Sequence, residues 1–419
     1  MMSRSEGIPA TSSTASPRPF HGWIVVAGAF AVSCFGFGSA YTFSAFVETL
    51  QHEFGASRGS VSLVFSLAGF LYFGLGLVSG PLADRFGPRR LALVGMLLTG
   101  AGLVLAGLAR TLTEIYAAYG LGVGLGIGSA YVPSLGAVQR WFVRRRGFAS
   151  GLAVSGIGVG TLLFPPLASL LIRDLGWRGA YMVIGLVVAA AGGALALLID
   201  GDPRNRGEFP DGDATSAPSQ GPTGASVREA VSSRRFAVLY ASCLICALGV
   251  FVPFVHLAPY AMDRGVPASS AVLLVGVIGV GSTAGRFLLG NLADRLGRSA
   301  SLTLMYAGMA ASLLIWLGGE RVWSLAVFSF VYGVFYGGWV AVLPAVTTDY
   351  FGGRNVGAII GVLYTSVAFG TLIGPSAAGF AYDASHSYTL PIAAGVIANA
   401  VSAALMLLAQ RLSAKERRF

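Results

Sequence analysis

The chain has 419 residues, 55% of them hydrophobic and 11% charged, against about 25% charged in an ordinary soluble domain. Its mean hydropathy is +0.72 and its net charge +10. These values point away from a soluble enzyme or a nucleic-acid-binding domain. The basic residues fall in short connections between apolar segments, each about the length of a helix that crosses a ~30 Å hydrocarbon core.

Residues Met1 to Phe20 are polar and rich in Ser, Thr and Pro. They lack the apolar core of a cleavable signal peptide, so 1–21 is expected to be a disordered cytoplasmic tail. Six apolar spans follow at about 22–50, 60–83, 91–110, 113–140, 147–173 and 178–200, giving an N-terminal bundle over 22–200. Gly201 to Arg235 then carries Pro203, Pro210, Pro218 and Pro222 among Gly, Ser, Asp and Arg. Such a stretch buries too little apolar surface to fold alone, so 201–235 reads as a cytoplasmic linker. Six more spans lie at about 236–263, 269–294, 299–319, 322–349, 355–382 and 386–411. They form a C-terminal bundle over 236–411, with 412–419 a second cytoplasmic tail. The fold expected is an all-α membrane protein of twelve transmembrane helices.

Charge sets the orientation. With the N-terminus inside, only Arg58, Arg110, Arg173, Arg178, Arg264 and Arg321 fall in outside loops. Every other basic residue except Arg286 falls on the inside, the bias expected of a multi-pass protein of the inner membrane with both termini in the cytoplasm. Cys34, Cys243 and Cys246 lie inside apolar spans, and no metal-ligand spacing occurs.

The two halves repeat. Gly80-Pro-Leu-Ala-Asp-Arg-Phe-Gly-Pro-Arg-Arg90 matches Gly290-Asn-Leu-Ala-Asp-Arg-Leu-Gly-Arg-Ser299 at an offset of 210 residues, and the same offset carries Gly151, Gly160 and Pro165 onto Gly361, Gly370 and Pro375. Parallel repeats of this kind are related by an axis along the membrane normal, with a substrate path between them.

One charge stands out. Arg286 lies inside the apolar span Ser269 to Leu292, about eight residues before Asp294, or ~12 Å in at 1.5 Å per residue. An arginine at that depth costs at least about 2.5 kcal/mol on insertion scales, and no acid lies centrally in any span. Its planar fork suits bidentate capture of a carboxylate; the alternative is snorkelling, or bonding to helix carbonyls. His256, in Val252-Pro-Phe-Val-His-Leu-Ala-Pro259, is a candidate for a substrate oxygen or a proton. Tyr131, Tyr332, Tyr336, Tyr41 and Tyr364 each offer an apolar ring with a polar tip, the alternative being interhelical packing. In the loops, Gly80, Asp84, Arg85, Gly87 and Arg89, with Asp294 and Arg295 in the second copy, read as a gating motif whose charged members pair when one side closes. The glycine run Gly120 to Gly128 reads as close helix packing, since no strand surrounds it.

The paired Gly80–Arg90 and Gly290–Arg298 motifs resemble the hallmark of the major facilitator superfamily. A finer resemblance is to the monocarboxylate transporters and their bacterial relatives, including oxalate/formate-type exchangers. It rests on His21-Gly-Trp-Ile-Val-Val26, Phe54-Gly-Ala-Ser-Arg58, Trp141-Phe-Val-Arg-Arg-Arg-Gly-Phe-Ala-Ser-Gly151, which includes Arg145, and Gly176-Trp-Arg-Gly179. The resemblance implies a fold of two pseudo-symmetric six-helix bundles and an eighth-helix arginine that holds the substrate carboxylate, matched by Arg286. It departs in three places. Ser282 stands where animal monocarboxylate transporters have an aspartate, and Tyr41 where they have a first-helix lysine. Leu363-Tyr-Thr-Ser-Val-Ala368 lacks the second cation of oxalate/formate exchangers.

The function expected is secondary transport of a lactate- or pyruvate-like monocarboxylate with proton symport, by a monomer in lipid that needs no cofactor, metal or nucleic acid. Ser282, His256 and the tyrosines shape the cavity around Arg286. The rivals are an oxalate/formate-type exchanger and a non-transporting membrane receptor. A membrane enzyme is disfavoured, because His21, His52, His256 and His386 are scattered and form no catalytic set.

Overall fold

The structure, a computed structural model, describes residues 20–212, 224–319 and 321–416, without the side chains of Arg146, Asn291, Asp294 and 411–416. Most of the expected N-terminal tail, the centre of the linker segment, the last three residues and the Asp294 side chain therefore lie outside the described residues. Ten helices are long and apolar enough to cross a membrane, and the bent pair Arg58–Gly74 and Gly76–Phe86 makes an eleventh. One of the ten, Gly147–Ala196, turns at Gly176, where φ is 71°. It is two spans, which brings the number to twelve among the described residues.

In chain order these are α1 (Gly22–Phe54), α2 (Arg58–Gly74 with Gly76–Phe86), α3 (Pro88–Leu108), α4 (Leu112–Trp141), α5 (147–175), α6 (177–196) and α7 (Arg234–Met262). Then come α8 (Ala268–Leu296), α9 (Arg298–Leu317), α10 (Val322–Phe351), α11 (Val356–Ser385) and α12 (Thr389–Glu416).

The repeat reaches down to single backbone turns. Left-handed residues occur at Gly55 and Gly265, at Gly87 and Gly297, and at Gly176 and His386, each pair 210 residues apart. Gly87 and Gly297 share φ 87° and close the two copies of the loop motif, a conformation that favours glycine. The first helix of each half is broken: α1 at Thr42 and α7 at Phe251, just before Pro253, which has no N–H to continue the ladder. Carbonyls left over at a helix break need other donors. The Tyr119 hydroxyl donates to the Ala40 carbonyl at 2.8 Å and Tyr332 to that of Val250 at 2.7 Å, again on acceptors 210 residues apart.

Small residues let the helices touch. A Cβ built on Gly156 or Gly160 would run into α1 backbone at Phe30 and Cys34, and one on Gly370 or Gly374 into α7 at Ala247 and Leu248. Between the halves, α2 meets α11 and α5 meets α8. A Cβ on Gly379 would stand 2.6 Å from the Gly59 Cα, and one on Gly279 2.5 Å from the Gly158 carbonyl oxygen. Toward the arginine-rich end the packing of the same helices loosens without ending: Gly74 has only Ala368 at 3.8 Å, Gly361 meets Leu77 of α2 at 3.4 Å, and Gly80, Gly151 and Gly290 have nothing within 4 Å. The halves are thus closed at the end that carries Arg58 and relaxed at the other.

At the arginine-rich end Asp84 pairs with Arg140 at 2.9 Å, and Asp200 with Arg89 and Arg206 at 3.3 and 2.7 Å. Arg298 pairs with Asp349 at 2.8 Å, and Arg85 lies over the Phe86 ring. These pairs stay within one half. Part of the linker segment docks on the α4–α5 loop. The Asp211 carboxylate accepts the backbone N–H groups of Val143, Arg144 and Arg145 at 3.0, 2.8 and 3.4 Å, from a left-handed backbone with φ 60°. Ala225 meets the matching α10–α11 loop, donating to the Phe351 carbonyl and accepting from Asn355.

Burial pushes the Asp211 carboxyl pKa up, but the three backbone N–H groups and Arg144 pull harder, and the net shift is downward. The anchor is therefore complete above the ordinary carboxylate pKa near ~3.9 and is lost as pH falls through the depressed value. Asp211→Asn is expected to raise hydrogen exchange over 203–212 at pH 7. The wild-type segment should reach that level only below about pH 4, after correction for intrinsic rates.

Candidate functional site

Arg286 on α8 is 5% exposed. Its Nη1 donates to the Val154 carbonyl of α5 at 2.8 Å, across the boundary between the halves, while Nε and Nη2 have no hydrogen-bond partner. Tyr336, Tyr131, Tyr41 and Tyr364 lie around it. A buried charge left unpaired on one edge is costly by several kcal/mol. Among the described residues that edge has no partner, which leaves it able to take one from a ligand.

Of the residues singled out in the sequence, Tyr131, Tyr336, Tyr41 and Tyr364 gather about Arg286. The Tyr41 and Tyr336 hydroxyls, one from each half, are 3.4 Å apart. Ser282 lies one turn before Arg286 with its hydroxyl buried and unpaired. Two others go elsewhere. Tyr332 spends its hydroxyl on the α7 break. His256 is fully buried, with Nδ1 2.9 Å from the Tyr388 hydroxyl and Nε2 2.8 Å from the Pro375 carbonyl, so both ring nitrogens are taken up in this state.

Beside the arginine cluster a cavity of about 30 Å³ opens between the halves, room for on the order of one or two water molecules. Tyr131, Tyr336 and Tyr364 are its polar lining; Phe37, Phe73, Ile157, Trp339, Val340, Leu343 and Val367 are the rest. Arg286 is not among its lining residues but lies near all three of those tyrosines. The Trp339 indole is held in place by a 3.3 Å hydrogen bond to Tyr306. Sequence reading missed Phe37, Phe73 and Trp339, because apolar residues in apolar spans give no contrast. It also missed the partners of Arg58, Asp263 and Asp383, which are remote in the chain.

Comparison with known proteins places the chain in a family. A family model described as Major Facilitator Superfamily matches residues 28–318 and 273–418. The human protein named monocarboxylate transporter 11 is 30% identical over 381 residues, covering 88% of this chain and 78% of that one. Rat monocarboxylate transporter 3 is 32% identical, covering 88% and 76%. Among solved structures, a bacterial homologue of the human lysosomal transporter Spinster, described as inward-facing and unoccupied, superposes with a TM-score of 0.72. It is 16% identical and covers 94% of this chain and 98% of its own.

Proposed function

Because the chain belongs to the major facilitator superfamily, and within it to the monocarboxylate transporter-like family, we propose that it carries a small monocarboxylate across its membrane by alternating access, with Arg286 as the carboxylate receptor. The observation that carries this reading is the half-satisfied guanidinium, Nη1 on Val154 and Nε and Nη2 open, among tyrosines of both halves. A carboxylate accepts two parallel N–H bonds from such a fork. The tyrosine hydroxyls would then address a 2-hydroxy or 2-keto oxygen, and the apolar wall the carbon tail. A single cation suits a monoanion better than oxalate.

The membrane is the inner membrane, with the arginine-rich end in the cytoplasm. Proton symport is the coupling we favour, the proton arriving with the acid. Uptake of radiolabelled lactate into proteoliposomes tests this. Accumulation driven by an inward proton gradient supports symport. Counterflow indifferent to pH supports the exchanger, and binding without flux the receptor.

The cramped wall sets a size limit. Trp339→Ala is expected to raise phenylpyruvate uptake relative to lactate by roughly tenfold, the usual scale for steric discrimination in an apolar pocket. An unchanged ratio in competition assays would place Trp339 outside the specificity wall.

A further inference from the structure

We propose that Arg58 is the lock of the gate at the end opposite the arginine-rich face, and that the carrier opens there only when the C-terminal half lets go of it. The proposal rests on the alternating-access reading above.

Arg58 is the first residue of α2, yet it is only 8% exposed, because the other half encloses it. Its Nη1 and Nη2 donate to the two Asp263 carboxylate oxygens at 2.7 and 3.1 Å, a fork-on-fork pair at the end of α7. Nη1 also reaches the Tyr388 hydroxyl at 3.1 Å, before α12, and the guanidinium lies 4.1 Å over the Tyr382 ring of α11. From its own half, among the described residues, the guanidinium takes only Gln51, at 3.3 Å. The backbone joins in: the Arg58 and Gly59 N–H groups donate to Asp383 at 2.9 and 2.8 Å.

A local role does not account for this. The start of α2 already has its own cap, Ser57, which accepts from Ser60. Asp383 therefore adds a second cap drawn from the other half. A topology anchor needs only water, whereas this arginine is withdrawn from water and held by three separate elements of the C-terminal half. Charge-assisted, bidentate pairs are the strong class of hydrogen bond. The grip sits where the backbones of α2 and α11 touch, at Gly59 and Gly379.

The lock is also wired inward. The Pro375 carbonyl can only accept, so His256 Nε2 carries the proton and Nδ1 accepts from the Tyr388 hydroxyl, a tautomer assigned from the bonding pattern. The Tyr388 oxygen in turn accepts from Arg58. Releasing Arg58 thus removes one support of a buried histidine between α7 and α11. That gives His256 a part in closing the gate.

The test is a distance measurement that does not depend on transport. Thr113 and Val322, both exposed, sit at the Arg58 end of α4 and α10 in opposite halves, and the three native thiols are buried. Spin labels at Thr113→Cys and Val322→Cys, in lipid nanodiscs, report the opening of that mouth by pulsed electron resonance. A single short distance should dominate in wild type. Arg58→Gln, Asp263→Asn and Asp383→Asn should each raise the long-distance fraction, the first by about tenfold in population ratio. The exchange Arg58→Asp with Asp263→Arg should recover part of the short distance.

An unchanged distance distribution in all three single variants overturns the lock. So does a charge exchange that stays as open as Arg58→Gln. If Arg58→Gln does not fold, the two carboxamide variants, which keep the arginine and the Ser57 cap, decide alone. A shift in distance in a protein that moves no carboxylate would uphold the lock and overturn the proposed function instead.

Discussion

Arg286→Gln is expected to lower carboxylate uptake about a hundredfold while leaving the fold as stable as wild type, or more so. Truncating one member of a buried, hydrogen-bonded charge pair costs ~2–5 kcal/mol of binding, and every ~1.4 kcal/mol is tenfold. The stability half of the prediction separates receptor from scaffold. A structural arginine loses bonds when replaced. Arg286 makes one, to the Val154 carbonyl, which a glutamine amide can also supply. The rest of the guanidinium is buried without partners among the described residues, an arrangement that destabilises the empty protein. Removing it should leave the melting temperature level or raise it while transport is lost. Arg286→Lys keeps the charge but not the planar fork, so uptake should stay well below wild type. Uptake equal to wild type in the glutamine variant would make Arg286 a structural residue.

The fold was legible because hydropathy and repetition are strong signals in a membrane chain. Twelve spans, the 210-residue offset and the isolated arginine all follow from contrast: polar against apolar, or one half against the other. Even the turn glycines Gly87 and Gly297 were marked by the repeated motif. The local shapes were not marked. Nothing in Leu71-Tyr-Phe-Gly-Leu75 announces the 50° bend in α2.

The site was half legible, for a reason of the same kind. Arg286 and its four tyrosines carry polar atoms inside apolar helices, so they stand out. Trp339 and Phe37 build the cavity wall without standing out at all. His256 and Tyr332 do stand out, but a polar tip in a sequence does not disclose its partner. The Val250 carbonyl is free for Tyr332 only because α7 breaks there. Arg58 fails in the opposite way: beside a loop it looks solvated, and its partners Asp263 and Asp383 are 205 and 325 residues away.

The second large effect is expected at Gly285, next to the receptor arginine. A Cβ there would lie inside the Val334 carbonyl of α10, and one on Gly337 inside the Ser282 carbonyl of α8. In both cases the obstacle is backbone, which cannot rotate aside as a side chain can. Gly285→Val must therefore push α8 and α10 apart, at a cost in the range of ~1–3 kcal/mol or more for forced overpacking. The displacement falls on the site itself, since Arg286 follows Gly285 and Tyr336 precedes Gly337 in the chain. The variant should lose transport and melt well below wild type. Gly290→Val on the same helix, where nothing lies within 4 Å of the added carbon, should melt close to it. Paired thermal unfolding of the two in detergent checks this. Equal melting temperatures would mean that α8 and α10 are not in backbone contact at Gly285. The close approach that sets Arg286 against the tyrosines would then need another cause.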